Sequence, residues 1–410
     1  MSLSRTGWIV VALLGGLAAG IALRLGFGEH TTFAAVLQPI GELWLNGLRM
    51  TLVPLVFCLM AAGMAGLADT ATGGGRVVGI AVTVFVALLF AASIAGMLTA
   101  EALMILWPVQ PMGLSLGAPP VVAGTAPPNF VAVLTSLVPV NPVAAAAEAA
   151  MAPLIVFAAI FGLAISRLPA NSRTLLVGFF TASADAMLVI VNWVLRVAPI
   201  GIFVLSFEAA ASVGVGAALG VFQYVVLLSA VVAVGLLCAM LIGLFGSGSP
   251  ARFYRAAIAP QALAASTQSS MACLPALVEA ANALKLPRDF VGSIMPLAVT
   301  TFRFGNVFGG VAAGLIGAHL FGIHPGVGTI CLAVVIGVLT NIGVIGLPGQ
   351  AVLLAAYGPI FSALGTPLEA LTLLIPVFAL PDILVTTCNV TGHLGATSLI
   401  ARLTGRQAAT

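Results

Sequence analysis

Near the C-terminal end of the chain, Asp382, Thr386, Asn389 and His393 follow one another at spacings of 4, 3 and 4. On a helix advancing ~100° per residue they share a stripe roughly 60° wide. A carboxylate, a hydroxyl, an amide and an imidazole on one face can bind a small polar solute, move a proton, or hydrogen-bond between helices. The run around them is apolar, and a carboxylate at mid-membrane depth costs about 2.5–3.5 kcal/mol on insertion scales. Asp382 is therefore read as functional. Thr386 and Asn389 fit binding or interhelical bonding. His393 fits packing or protonation, so Asp382 and His393 are the proton-coupling candidates.

Upstream, "VTTFRFGNVFGG" (299–310) sets Arg303 between two phenylalanines inside another apolar run. Arg303 is the only base deep in the C-terminal half, as Asp382 is the only acid. Arg303 is open to three roles: a pair with Asp382, a partner for helix-end carbonyls, or a ligand for a solute. Buried ion pairs are weak stabilisers, which favours a functional role. Two small-polar clusters complete the set. One is Ser266, Thr267, Gln268, Ser269 and Ser270; the other is Asn341, Gly343, Gly346, Gly349 and Gln350. Each ends near a Leu-Pro pair, at Pro275 and Pro348.

These positions need a membrane-embedded frame. The 410 residues are 61% hydrophobic and 6% charged, which excludes a soluble protein. Apolar runs of spanning length recur throughout, so the fold class is an all-α polytopic membrane protein. The first run, "WIVVALLGGLAAGIALRLG", is long enough to span and carries no cleavage pattern. Spans are expected near 8–26, 35–67, 75–107, 127–168, 174–212, 214–246, 288–322 and 367–404. The five cysteines sit singly in apolar runs and read as small buried hydrophobes. No metal, cofactor or nucleic-acid partner is expected.

Ten of the 14 basic residues lie at the ends or in alternate connections: Arg5, Arg76, Arg167, Arg173, Arg252, Arg255, Lys285, Arg288, Arg402 and Arg406. The positive-inside rule puts both termini in the cytoplasm of a multi-pass cell-membrane protein. Segment 250–284 has basic flanks around "STQSSMACLP" and is expected to enter and leave from inside. Segment 326–364, around "TNIGVIGLPGQ", has none and is expected to enter from outside. Two broken segments, each followed by a helix with polar residues at mid-depth, form an inverted repeat. That arrangement is the sequence mark of a secondary transporter's substrate site.

At these residues the chain resembles the dicarboxylate/amino acid:cation symporter family, the glutamate transporter homologues. "RMTLVPLVF" (49–57) is similar to the family's second helix. "VPVNPVAAAAEAAMAPLIVFAAIFGLAI" (138–165) and "VNWVLRVAPIGIF" (191–203) are similar to its fourth and fifth. "STQSSMACLP", "GLPG" (346–349) and "NVTG" (389–392) resemble its two hairpins and eighth helix. The resemblance implies eight transmembrane helices, two re-entrant hairpins, a homotrimer and elevator-type movement. It implies a scaffold at 1–70 and 127–212, the latter also mediating trimerisation. It implies a transport domain formed by 71–126 and 213–410, with the second hairpin as extracellular gate.

The departures from the family pattern carry information. The family's seventh helix unwinds at an Asn-Met-Asp-Gly-Thr motif that supplies sodium ligands; Phe302, Arg303, Phe304, Gly305 and Asn306 stand there. His393 stands where a sodium-binding carboxylate is expected. Sodium needs hard oxygen donors, and neither Phe nor Arg provides one. Arg303 is thus expected to replace a bound cation, with sodium-independent substrate binding. Asp382 matches the residue that holds the substrate's amino group, and Thr386 and Asn389 match substrate contacts. Val385 replaces the arginine that pairs with a second carboxylate, so it marks specificity for a neutral side chain. The expected substrate-binding set is Ser269, Ser270, Arg303, Asn306, Gly346, Asp382, Thr386 and Asn389.

Other readings stay open. Arg303 could rescue an acidic substrate, giving a proton- or sodium-coupled symporter of acidic amino acids or C4-dicarboxylates. An uncoupled exchanger or an anion leak is a further alternative. A cation channel is disfavoured by the lone arginine. An intramembrane enzyme would need a nucleophile with a base or paired carboxylates, so no catalytic residues are assigned.

Overall fold

The computed structural model describes residues 5–27, 32–73, 75–111, 135, 138–343 and 353–406. The regular structure of these residues is all helical, without a strand among them. In chain order the helices are α1 (Arg5–Phe27), α2 (Thr32–Gly73), α3 (Gly75–Leu106), α4 (Pro142–Ala147) and α5 (Met151–Ser166). Then come α6 (Ala170–Arg196), α7 (Ala198–Val213), α8 (Val215–Ser247), α9 (Pro250–Thr267) and α10 (Leu274–Ala283). The last are α11 (Arg288–Thr301), α12 (Phe304–Leu320), α13 (Val327–Gly343), α14 (Gly358–Ala363) and α15 (Leu368–Leu403). A π turn, Leu353–Tyr357, leads into α14. Among the described residues, six helical stretches are long and apolar enough to cross a membrane.

The spans expected over 127–168 and 174–212 are not continuous helices. Asn141 caps α4, its Oδ1 accepting from Val143 N at 2.9 Å and Ala144 N at 3.2 Å. The chain then turns through Ala149, at φ 52°, and restarts at Met151. Residues 127–134 of that expected span lie outside the described residues. The second break falls at Val197, two residues before Pro199, because proline lacks the N–H that would continue α6 and fits the first turn of α7. The expected span 288–322 also divides, into α11 and α12. The other expected spans correspond to single helices.

Two packing groups emerge. In one, α1 lies along α7, and α2 packs against α5, α6 and α7. In the other, α8 lies along α15, α12 packs on α3 and α8, and α9 packs on α15. α13 touches both, through α2 and α5 on one side and α3 and α12 on the other. Small residues permit the closest crossings, as expected where no hydrophobic force joins helices in lipid. A Cβ on Gly96 of α3 would fall on the Phe308 carbonyl of α12.

The core sits around α11 and α12. The stretch Arg288–Leu320 is 89% buried over its most apolar window, whereas Ala170–Arg196 is only 17% buried. α6 therefore turns a long face outward. That face includes Ala182, Asp185, Ala186, Val189, Asn192, Trp193 and Arg196, all exposed.

Candidate functional site

The site begins where helix geometry fails. The Phe302 N–H bonds the Ala298 carbonyl at 2.8 Å and ends α11. Phe302 (φ −103°, ψ 77°) and Arg303 (φ −94°, ψ 68°) are non-helical, and α12 starts at Phe304. A helix start leaves N–H groups without intrahelical partners, and Arg303 gives no side-chain cap. The cap comes from another helix. Asn389 of α15 accepts from Gly305 N at 2.7 Å and Asn306 N at 3.2 Å through Oδ1. Its Nδ2 donates to Asn306 Oδ1 at 2.6 Å. An asparagine side chain has two acceptor and two donor positions, so three of Asn389's four are engaged here. Gly305 makes the approach possible. A Cβ there would press on the Val385 carbonyl oxygen and lie 2.9 Å from Cys388 Cβ.

The two phenylalanines beside Arg303 are buried. Phe302 stacks on Phe85 of α3 at 4.9 Å and 24°, and meets Phe304 at 5.8 Å. Carbon thus surrounds the break on this side. His393 lies behind it, its ring 6.5 Å from that of Phe302. His393 is fully buried, and neither ring nitrogen meets hydrogen-bond geometry with a partner among the described residues.

Arg303 and Asp382 each keep part of their surface accessible while Phe302, Phe304, Val385 and Thr386 are buried. Each lies within the other's electrostatic field. The accessible part of these two side chains is what the site opens to its surroundings. Thr386, Asn389 and His393, expected on the same stripe, form its back wall, at 4%, 2% and 0% exposure. Val385 is also sealed, and its carbonyl rather than its side chain carries the contact to Gly305.

The helical pair α9–α10 brings its tip to this opening. α9 ends at Gln268 in the left-handed region (φ 50°, ψ 32°). Gln268 Nε2 donates to the Ala379 carbonyl at 2.8 Å, one turn before Asp382. Ser269 and Ser270 are partly exposed beside it. The Ser269 carbonyl accepts from Cys273 Sγ at 3.3 Å, and that of Ser270 from Cys273 N at 3.2 Å, which folds the tip on itself. Lower down, Gln261 Nε2 donates to Thr391 Oγ1 at 2.9 Å and fastens α9 to α15.

On the opposite side, α13 ends near the π turn. Thr340 Oγ1 donates to the Ala356 carbonyl at 3.3 Å. Asn341 Nδ2 donates to the Gly337 carbonyl at 2.8 Å, leaving its buried Oδ1 without a partner among the described residues. Gly346, Pro348, Gly349 and Gln350 lie outside the described residues.

The sequence reading passed over Tyr357. It closes the π turn, is fully buried, and its hydroxyl has no hydrogen-bond partner among the described residues. Its ring meets Phe378 edge-on at 5.4 Å and 85°. Phe378 is one turn before Asp382, and the charges of Asp382 and Arg303 both act on the phenol. A single tyrosine in "LLAAYGPIF" reads as core, so only its neighbours in space reveal it.

No group of three or more His, Cys, Asp or Glu side chains among the described residues is arranged to hold a metal ion. Two surface grooves, about 460 Å³ between α2, α4, α5 and α6 and about 290 Å³ between α2, α6 and α7, are apolar and contain none of the candidate residues.

Residues 6–403 match the model of the sodium:dicarboxylate symporter family. The chain is 28% identical to the proton/glutamate-aspartate symporter of Escherichia coli (strain K12), covering 90% of this chain and 85% of that one. It is 27% identical to human neutral amino acid transporter A, covering 94% and 80%. It is 26% identical to the C4-dicarboxylate transport protein of Rhizobium johnstonii (strain DSM 114642 / LMG 32736 / 3841), covering 96% and 88%. With a match running almost end to end over a helical, largely apolar fold, the chain belongs to the sodium:dicarboxylate symporter family, whose members are multi-pass membrane transporters rather than enzymes.

Proposed function

We propose that the protein carries a small amino acid with a neutral side chain across the membrane without sodium, and that Arg303 supplies the positive charge otherwise borrowed from a bound cation. The observation that carries this reading is the break at Phe302–Arg303. Sodium needs several oxygen donors, and here aromatic carbon packs the break while an arginine stands in it. Asp382 faces the opening with Arg303 and suits the substrate's ammonium group. Ser269 and Ser270 offer hydroxyls from the tip of α9–α10. Val385 offers no bidentate partner for a second carboxylate.

A second reading is an acidic amino acid or C4-dicarboxylate, coupled to protons or sodium. It is favoured by the names of the Escherichia coli and Rhizobium relatives and by the accessible surface of Arg303, which can take a second carboxylate. Asp382 is the better proton carrier in this conformation, since His393 is sealed. An uncoupled exchanger or anion leak is the third.

The two packing groups suit a scaffold and a moving transport domain, the latter carrying Arg303 and Asp382. The exposed face of α6 supports a homotrimer, because Asp185 lies well inside a membrane-length helix and a carboxylate facing lipid there is costly. The basic connections support cytoplasmic termini.

The test is uptake into proteoliposomes of a labelled panel of neutral and acidic amino acids and succinate, with and without sodium and an inward proton gradient. Sodium-free uptake of a neutral amino acid is expected. Arg303→Met is expected to abolish binding in sodium-free buffer; undiminished binding by that variant would sink the charge replacement.

A further inference from the structure

Tyr357 stands apart from the rest of the core. Its ring is held on three sides: edge-on to Phe378, against Gly310, and beside Gly309, where a Cβ would lie 3.7 Å from the phenol oxygen. The glycines make room for the ring on α12. None of these neighbours uses the hydroxyl, which is buried with no partner among the described residues. A phenylalanine would keep the packing without burying a hydroxyl that bonds nothing among the described residues, so the oxygen calls for a partner that those residues do not supply. The π turn that presents Tyr357 points the same way, since such turns concentrate at functional sites.

We infer that Tyr357 is a further substrate-contacting residue, whose hydroxyl donates to a carboxylate oxygen of a bound substrate held between Arg303 and Asp382. This rests on the transport reading above and adds to it. Asp382 takes the ammonium group. Arg303 and Tyr357 share the carboxylate, one as a charge from α12 and the other as a neutral donor from the turn before α14. Asn389, with three of its four positions engaged in the α12 cap, has little left to offer that carboxylate.

The experiment compares full-length wild type with Tyr357→Phe in detergent. Calorimetric titrations use L-alanine, L-serine, L-glutamate and succinate, beside the melting temperature of each unliganded protein. The variant keeps the ring and removes one oxygen. The expected result is an unchanged or raised unliganded melting temperature with at least about tenfold weaker binding of the best ligand, the loss typical of a hydrogen bond to a charged group. Binding within twofold of wild type would overturn the assignment and leave the transport reading intact. A weaker affinity with an equally lowered unliganded melting temperature would overturn it as well, marking Tyr357 as structural. Wild type binding none of the four would overturn the transport reading and this assignment together.

Discussion

Asn306 and Asn389 grip each other through two hydrogen bonds. The Asn389 amide donates to Asn306 Oδ1 at 2.6 Å, and the Asn306 main-chain N–H donates back to Asn389 Oδ1 at 3.2 Å. Both residues are buried. A side chain of α15 thus does for α12 what a residue preceding the helix does elsewhere.

Removing that grip should cost stability before it costs specificity. Asn389→Ala leaves the Gly305 and Asn306 N–H groups buried and unbonded, so a loss of roughly 2–4 kcal/mol is expected. Thermal unfolding in detergent measures it. A melting temperature equal to wild type would mean that water or a neighbour takes over the cap.

Gly305→Ala tests the closeness of α12 and α15. The added methyl meets the Val385 carbonyl and Cys388, and overpacking of this kind costs about 1–3 kcal/mol. Lower yield of monodisperse protein is expected. Normal yield and stability would show that the two helices can separate at little cost.

Asp382→Asn removes the carboxylate from the opening but keeps the side chain's shape. If Asp382 holds an ammonium group, amino-acid affinity falls by at least about tenfold, the loss expected of a hydrogen bond to a charged partner. Succinate, which has no amino group, should not weaken in parallel. Equal loss for both ligands would assign Asp382 to positioning Arg303 instead.

Val385→Arg distinguishes a specificity position from a packing position. The side chain is enclosed, so a guanidinium there must displace neighbours or be buried unpaired. Poor folding is expected rather than a gain of L-glutamate uptake. Stable protein with new glutamate transport would show that the back wall opens in another conformation.

The outward face of α6 makes a prediction about assembly. In mild detergent the protein should travel as a trimer by light scattering, and a cysteine at Val189 should cross-link one copy to another in membranes. A single-chain mass with no cross-linking would leave Asp185 facing lipid and discard the trimer.

The polar stripe on α15 was legible because its 4-3-4 spacing repeats the helical turn, and Arg303 because a base is conspicuous in an apolar run. Depth behind the opening was not legible. A helical stripe fixes the face of a residue, but what packs on that face decides whether Asp382 is reached and His393 is sealed. The break at Val197 was missed for a related reason: Pro199 is tolerated in the first turn of a helix, so hydropathy runs through it unmarked. The break at Ala149 turns on a residue with no turn signal of its own. Tyr357 shared its apolar run with core residues, and only the missing partner of its hydroxyl distinguishes it. Asn389 reads in the sequence as open to binding or interhelical bonding, and three of its four bonding positions serve α12, two of them on its main chain.

The bond from Gln268 to Ala379 is asymmetric in a way that matters for inheritance. Its donor is a side chain, but its acceptor is a main-chain carbonyl on α15. Substitution at Ala379 leaves that oxygen in place, so mutations there can vary without releasing the tip of α9–α10. Control of this bond rests with codon 268, and a single change to a side chain without a donor would remove it, leaving Gln261 to Thr391 as the side-chain bond that still ties α9 to α15.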